Sequence, residues 1–196
     1  MKWMVTAFEP FAGAATNSSL MIAKKLSQMD WDNHIDFAYP LKVSYADAWR
    51  ELEKKLTTNN SYDGILCLGQ AENRKKISFE RLALNWIDAS LPDNQGIKIQ
   101  NQRINAGPDI LWSTIPWEKF DLPHNCERSY SAGTFVCNHL MYSLLQWAQP
   151  QKKLAGFVHI PLVHGQKNDF PEKELNPQDE ITYSLVQALD FLIRLK

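Results

Sequence analysis

Gly64-Ile65-Leu66-Cys67-Leu68-Gly69 is an uninterrupted apolar run closed by a glycine at each end. A run this short has no polar face, so it reads as a strand covered on both sides, the kind found in sheets sandwiched between helices. The segments around it agree. Toward the N-terminus, residues 44–56 place Tyr45, Trp49, Leu52 and Leu56 on one helical face, with Lys54 and Lys55 opposing the C-terminal end of the helix dipole. Residues 34–39 read as a strand ended by Pro40, and residues 2–8 as the first strand of the chain. Between those two, Ser18 or Ser19 is placed to cap a helix reaching about Gln28.

Toward the C-terminus, residues 79–88 alternate as a strand does, and Pro92-Asp93-Asn94-Gln95-Gly96 supplies a turn. Residues 125–130 form another candidate strand. Ser131-Ala132-Gly133 then breaks the chain before a helix to about Trp147. Residues 155–160 are a further apolar strand stopped by Pro161, and Asn176-Pro177 offers a cap and a first-turn proline for a last helix to Leu195. Strands and helices alternate without a repeat, a low-complexity tract or a long linker. The expectation is an α/β layered fold in one domain over residues 1–196.

The formal net charge is −1, so no global field draws the chain to nucleic acid or to an anionic membrane. Its lysine pairs (24–25, 54–55, 75–76, 152–153) are short and suit solvated faces. No apolar run approaches the ~18 residues of a membrane span. The N-terminus shows no secretory pattern before its first strand. The cysteines Cys67, Cys126 and Cys137 are odd in number and form no C-x-x-C, which speaks against a disulfide framework and a zinc site. The cytoplasm is the expected location.

Cys137 stands just past Gly133, in the first turns of a predicted helix. Unpaired N–H groups and the positive end of the dipole favour a thiolate there and can hold a developing oxyanion. A small buried cysteine explains the same placement equally well. Cys67 lies mid-strand among Leu and Ile and reads as core; nothing near Cys126 suggests activation. His159 ends an apolar strand, where a rigid element meets a loop, and could serve a thiol as base or simply bond a buried carbonyl. His164 follows five residues later, but the intervening proline and glycine give no metal-like spacing, and no metal is expected. Glu80 shares one face of its strand with Leu82, Leu84 and Trp86, so it needs a cationic or donor partner. An imidazolium would serve, as would Arg74; Arg81 points to the opposite face. Phe8 and Phe11 flank Glu9-Pro10 in the first strand-to-helix loop, beyond a strand's carboxyl end, where α/β proteins bind ligands. The loop matches neither phosphate- nor dinucleotide-binding fingerprints, and no G-x-S-x-G is present.

In order along the chain, four blocks resemble the pyroglutamyl peptidase I (pyrrolidone-carboxylate peptidase) family of cysteine peptidases. They are Val5-Thr6-Ala7-Phe8-Glu9-Pro10-Phe11-Ala12-Gly13; Gly69-Gln70-Ala71 through Arg74 to Glu80-Arg81-Leu82-Ala83-Leu84-Asn85; Leu91-Pro92-Asp93-Asn94; and Ser129-Tyr130-Ser131-Ala132-Gly133-Thr134-Phe135-Val136-Cys137-Asn138-His139-Leu140. The segment Gly156-Phe157-Val158-His159-Ile160-Pro161 is similar to the family's last catalytic stretch. The resemblance implies a three-layer α/β/α sandwich over a mixed, twisted sheet and a catalytic triad of Cys137, His159 and Glu80. It also implies that Phe8 and Phe11 sandwich a pyroglutamyl ring, with Gln70 and backbone near Val136 binding the lactam. The implied activity is removal of an N-terminal pyroglutamyl residue from peptides, with no cofactor, by a chain that can assemble into dimers or tetramers. Four positions depart from the family pattern: Ala7 and Ala12 replace glycine, Ser18 replaces proline, and Ser90 replaces an arginine near the active site, a space that Arg74 or Arg103 could fill. These departures motivate two alternatives. One is a catalytically weak protein on the same scaffold that binds lactam-capped peptides; the other is a triad hydrolase of another small amide.

Overall fold

The computed structural model describes residues 1–59, 61–166, 169–172 and 175–195. The strands β1 (Trp3–Phe8), β2 (Ile35–Leu41), β3 (Gly64–Gln70), β4 (Ile77–Glu80), β7 (Cys126–Ser129) and β8 (Leu154–Ile160) form one sheet in the order β2-β1-β3-β8-β4-β7. β1, β2, β3 and β8 are mutually parallel; β4 runs antiparallel to β8, with β7 parallel to β4. The sheet is therefore mixed, as expected. Helices α1 (Ser18–Leu26) and α4 (Gln178–Ile193) cover one face, and α2 (Ala48–Thr58) and α3 (Val136–Ala148) the other.

Period-two alternation divides each central strand between two cores. Ile65 and Cys67 of β3 pack toward α2 and α3 with Met4 and Phe157, whereas Leu66 and Leu68 pack toward α1 and α4 with Val5 and Val158. Every residue of β3 from Gly64 to Gly69 is buried, as its sequence predicts. Gly64 has a steric role: a Cβ there would lie 2.4 Å from the Trp3 ring, whose Nε1 donates to Leu192 O on α4. No helix among the described residues is long and apolar enough to cross a membrane.

Several boundaries differ from the sequence expectation. Asn17 caps α1, its Oδ1 accepting from Ser19 N and Leu20 N, so Ser18 and Ser19 are the first helical residues rather than caps. β2 continues through Pro40 to Leu41, because an edge strand tolerates a missing N–H. α2 starts at Ala48, after a turn whose Tyr45 N–H is held by Asp93 Oδ2. Asn176 does not cap α4; its side chain donates to Leu162 O, and Pro177 precedes the helix. The strand expected over 79–88 is divided. β4 ends at Glu80, and β5 (Leu82–Leu84) pairs with β6 (Ile110–Trp112) in a separate two-stranded sheet. Arg81 is the junction: its N–H donates to Ser129 O at the end of β7, and its carbonyl accepts from Ser113 N just past β6. Glu80 and Leu82 thus belong to different sheets.

α3 is fastened to this small sheet by buried Asn138. Its Nδ2 donates to Leu84 O (2.8 Å) and Trp86 O (3.0 Å), and its Oδ1 accepts from Leu84 N (2.8 Å). Asn138→Ala would strand three part-buried backbone groups and cost about 3 kcal/mol. Thermal unfolding is expected to show a midpoint roughly 6–12 °C lower; an unchanged midpoint would show that the fastening contributes nothing.

Candidate active site

The alternation that builds the cores also selects which polar residues share a face. Ile77 and Phe79 of β4 enter the α1/α4 core, so Ser78 and Glu80 face α3. On β8, Phe157 faces α3 and so does His159 two residues on. The antiparallel register pairs Ser78 with His159 and Glu80 with Phe157, which leaves Glu80 and His159 as diagonal neighbours. His159 Nδ1 lies 2.7 Å from Glu80 Oε1. A carboxylate can only accept, so the imidazole proton sits on Nδ1 and Nε2 is left as the basic nitrogen.

Glu80 is completely buried, and the same Oε1 accepts from Arg74 Nη1 at 2.8 Å. Both partners weighed from sequence are therefore present together. Arg74 Nη2 also donates to Ser131 O (2.6 Å), in the turn that leads into α3. Glu80 Oε2 has no hydrogen-bond partner among the described residues. The other arginine considered, Arg103, is engaged with Asp109 and Gly107 O, and Ser90 is exposed; the guanidinium beside Glu80 is that of Arg74.

Cys137 is the second residue of α3, half-buried, and lines a cleft with Phe8, Phe11, Gln70, Phe135 and Val136. The cleft has a volume of about 250 Å³, room for a small ring. Cys137 lies against Gly69 of the sheet, which pairs with His159 in the β3–β8 register. A Cβ on Gly69 would come within 3.1 Å of Cys137 Sγ and 2.7 Å of the Phe157 ring. The bare glycine is what admits the sulfur over the sheet beside His159.

Electrostatically, the thiol departs from the sequence expectation. Burial pushes Cys137 up to about 12, and the negative charge of Glu80 adds to the effect; Arg74 and the residue's own backbone N–H oppose it. Desolvation thus outweighs the helix terminus, and the resting sulfur is a thiol rather than a thiolate. Burial also holds the His159 pKa below its ordinary value, against the raising influence of Glu80. At neutral pH the pair rests uncharged. Cys67 and Cys126 are buried thiols raised to about 12 and about 11, and all three cysteines are free.

Gln70 ends β3 at the cleft, and the polarity of its amide is fixed. Its Oε1 accepts from Ser18 N (2.7 Å) and Gln166 Nε2 (2.8 Å), so its NH₂ is the group left for the cleft. Ala12 adopts φ 55°, left-handed backbone at a position where the resemblance places glycine. The loop keeps a glycine-like path at a cost of about 1 kcal/mol. Asn17, Phe135 and Gln166 were not singled out from sequence. Asn17 is overshadowed by the two serines after it, Phe135 carries no ionisable group, and Gln166 lies in a loop with no motif. His164 is exposed, and no group of three His, Cys, Asp or Glu side chains among the described residues is placed to hold a metal ion.

A family model described as pyroglutamyl peptidase matches residues 1–190. The chain belongs to this family. It is a cysteine-type peptidase. The pyrrolidone-carboxylate peptidase of Thermosipho melanesiensis is 35% identical over 204 aligned positions, covering 96% of each chain. That of Pyrococcus furiosus is 37% identical, over 85% of this chain and 83% of the other. Among solved structures, a mutant pyrrolidone carboxyl peptidase from P. furiosus superposes with a TM-score of 0.86 at 32% identity, covering 97% of both chains. Pyroglutamyl peptidase I from Bacillus amyloliquefaciens superposes with a TM-score of 0.87 at 28% identity, over 99% and 95% of the two chains.

The Glu80 contact generates a direct test. Glu80→Gln removes the charge that favours imidazolium, so the His159 pKa, already below 6.5, is expected to fall further. An NMR titration of the imidazole nitrogens checks this; a rise in the variant would contradict the assigned pairing.

Proposed function

We propose that residues 1–196 act as one hydrolase domain that removes an N-terminal pyroglutamyl residue from peptides, using Cys137, His159 and Glu80. The observation that carries this reading is the 2.7 Å bond from His159 Nδ1 to the fully buried Glu80, beside a thiol that opens into an aromatic cleft. Family membership supplies the peptidase chemistry. The cleft supplies the fit for a small, flat ring: Phe8 and Phe11 as its walls, Gln70 as a donor to the lactam carbonyl, and the backbone at Val136 near the lactam edge.

His159 Nε2 accepts the proton of the Cys137 thiol as sulfur attacks the pyroglutamyl carbonyl carbon. The C=O bond opens to an oxyanion, which the unpaired N–H groups at the start of α3 stabilise. The tetrahedral intermediate collapses, the C–N bond breaks, and the imidazolium returns its proton to the departing amine. A thioester remains on Cys137. Water then attacks it with His159 as base, releasing pyroglutamate and regenerating the thiol. Glu80 holds the tautomer and stabilises the transient imidazolium without taking its proton. Arg74 pairs with the Glu80 carboxylate that faces His159, an arrangement that supports turnover over mere binding of capped peptides. A reducing compartment such as the cytoplasm suits a reaction that depends on a free thiol.

Purified protein is expected to hydrolyse a chromogenic pyroglutamyl amide and to leave glutamyl amide untouched. Cys137→Ser should lower kcat/KM at least ~10³-fold, while Cys126→Ser leaves it unchanged. The base must be neutral, so kcat/KM should fall with acid only below 6.5, the ordinary histidine value that His159 undershoots. No alkaline ionisation of Cys137 is expected short of about 12. Full activity in Cys137→Ser would sink the mechanism.

A further inference from the structure

Gln166 is completely buried, so no substrate atom can touch it, yet it is hydrogen-bonded to the one side chain that gives the cleft a polar direction. We infer that Gln166 is a positioning residue that, with the backbone N–H of Ser18, locks Gln70 as a hydrogen-bond donor and thereby sets the preference for a lactam over a plain five-membered ring. The inference rests on the pyroglutamyl reading above.

Two backbone groups of fixed polarity set the arrangement. Val163 N–H can only donate, and it meets Gln166 Oε1 at 3.0 Å. Gln166 therefore turns its NH₂ the other way, where Nε2 lies 2.8 Å from Gln70 Oε1. Ser18 N–H, which again can only donate, reaches the same oxygen at 2.7 Å. Two donors on Oε1 leave Gln70 one orientation, with NH₂ facing away from both. That NH₂ donates to no side chain or backbone group of the described residues, and Gln70 lines the cleft. A freely rotating amide would offer donor or acceptor on demand; this one offers a donor only. The lactam carbonyl is an acceptor, and a carbocyclic ring of the same size leaves the donor unpaired, the situation in which a polar site rejects an analogue most strongly.

Ser18 makes the arrangement particular to this chain. The resemblance places proline at this position, and proline has no N–H to donate. Here the contact exists because residue 18 is not proline. It is also the first residue of α1, where proline is well tolerated, so the donor can be removed without breaking the helix. Gln166 Nε2 lies 3.4 Å from Thr16 Oγ1 as well, and Thr16 is bonded to Asp169 (Oγ1 to Oδ2, 2.5 Å), which ties the same segment to the loop that carries Phe11.

The test compares binding of a pyroglutamyl peptide and its cyclopentanecarbonyl analogue by calorimetry in the parent, Gln166→Met, Gln70→Met and the double variant, each carrying Cys137→Ala so that neither peptide is cleaved. Turnover of the pyroglutamyl amide by the parent and the same variants, with Cys137 intact, is measured alongside. Gln166→Met is expected to lower the lactam preference about tenfold, the size of one net hydrogen bond, and to do so through KM with kcat little changed. In the Gln70→Met background the same substitution should change the preference no further, because no amide remains to be oriented. Ser18→Pro, checked by thermal melting, should reduce the preference in the same direction and serves if Gln166→Met does not fold. An unchanged preference in folded Gln166→Met and Ser18→Pro overturns the inference, as does an equal drop with and without Gln70. A parent that prefers the lactam in binding but shows no turnover contradicts the catalytic reading alone. A parent with no lactam preference overturns both.

Discussion

Glu80 is a carboxylate with no exposure to solvent, and the site is arranged around that constraint. An unpaired ion in such a place costs several kcal/mol, whereas a fully buried Leu, Ile or Phe returns about 1.5–3 kcal/mol. Left alone, Glu80 would cancel two or three core residues. Arg74 and His159 meet the same oxygen and remove most of that cost. The geometry follows from this: β4 must run antiparallel beside β8 to bring the two residues into diagonal contact, and the loop after β3 must return Arg74 over the sheet. Because the second nitrogen of Arg74 holds Ser131 O, the turn that delivers Cys137 is tied to the same carboxylate.

The pair at rest is neutral, a thiol beside an imidazole whose only proton is committed to Glu80. In the proposed mechanism charge is created during the reaction rather than stored beforehand. On that reading the benefit of Glu80 falls on the transition state, when imidazolium forms, more than on the ground state. A neutral thiol is also a poor target for stray electrophiles and oxidants, which act on thiolate.

Much of this was legible in the sequence. The continuous run of residues 64–69 announced a covered strand, and alternation placed Glu80 on an apolar face where it needed a partner. His159 was recognisable as the end of a rigid strand. What escaped were features set by contacts between distant segments. The division of residues 79–88 into two strands depends on Arg81 bonding to Ser129 and Ser113. β6 spans only Ile110–Trp112, with just Leu111 buried, too short to show a period. The helix terminus at Cys137 promised a thiolate, but the depth of the site, which no local pattern reports, reversed the sign. Gln166 lies far along the chain from Gln70, and neither carries a motif that links them. Ser18 could be read only as a departure from a familial proline; that its N–H aims the Gln70 amide appears only in three dimensions.

In the proposed reaction the sulfur of Cys137 takes the acyl group, where it can be trapped. Acid quenching during turnover of an activated pyroglutamyl ester, followed by peptide mapping by mass spectrometry, should find a pyroglutamyl thioester on Cys137. It should accumulate further in Glu80→Gln, where the imidazolium formed during deacylation loses its counter-charge. Sustained turnover of the ester with no adduct on Cys137, or with the adduct on another residue, would contradict the account.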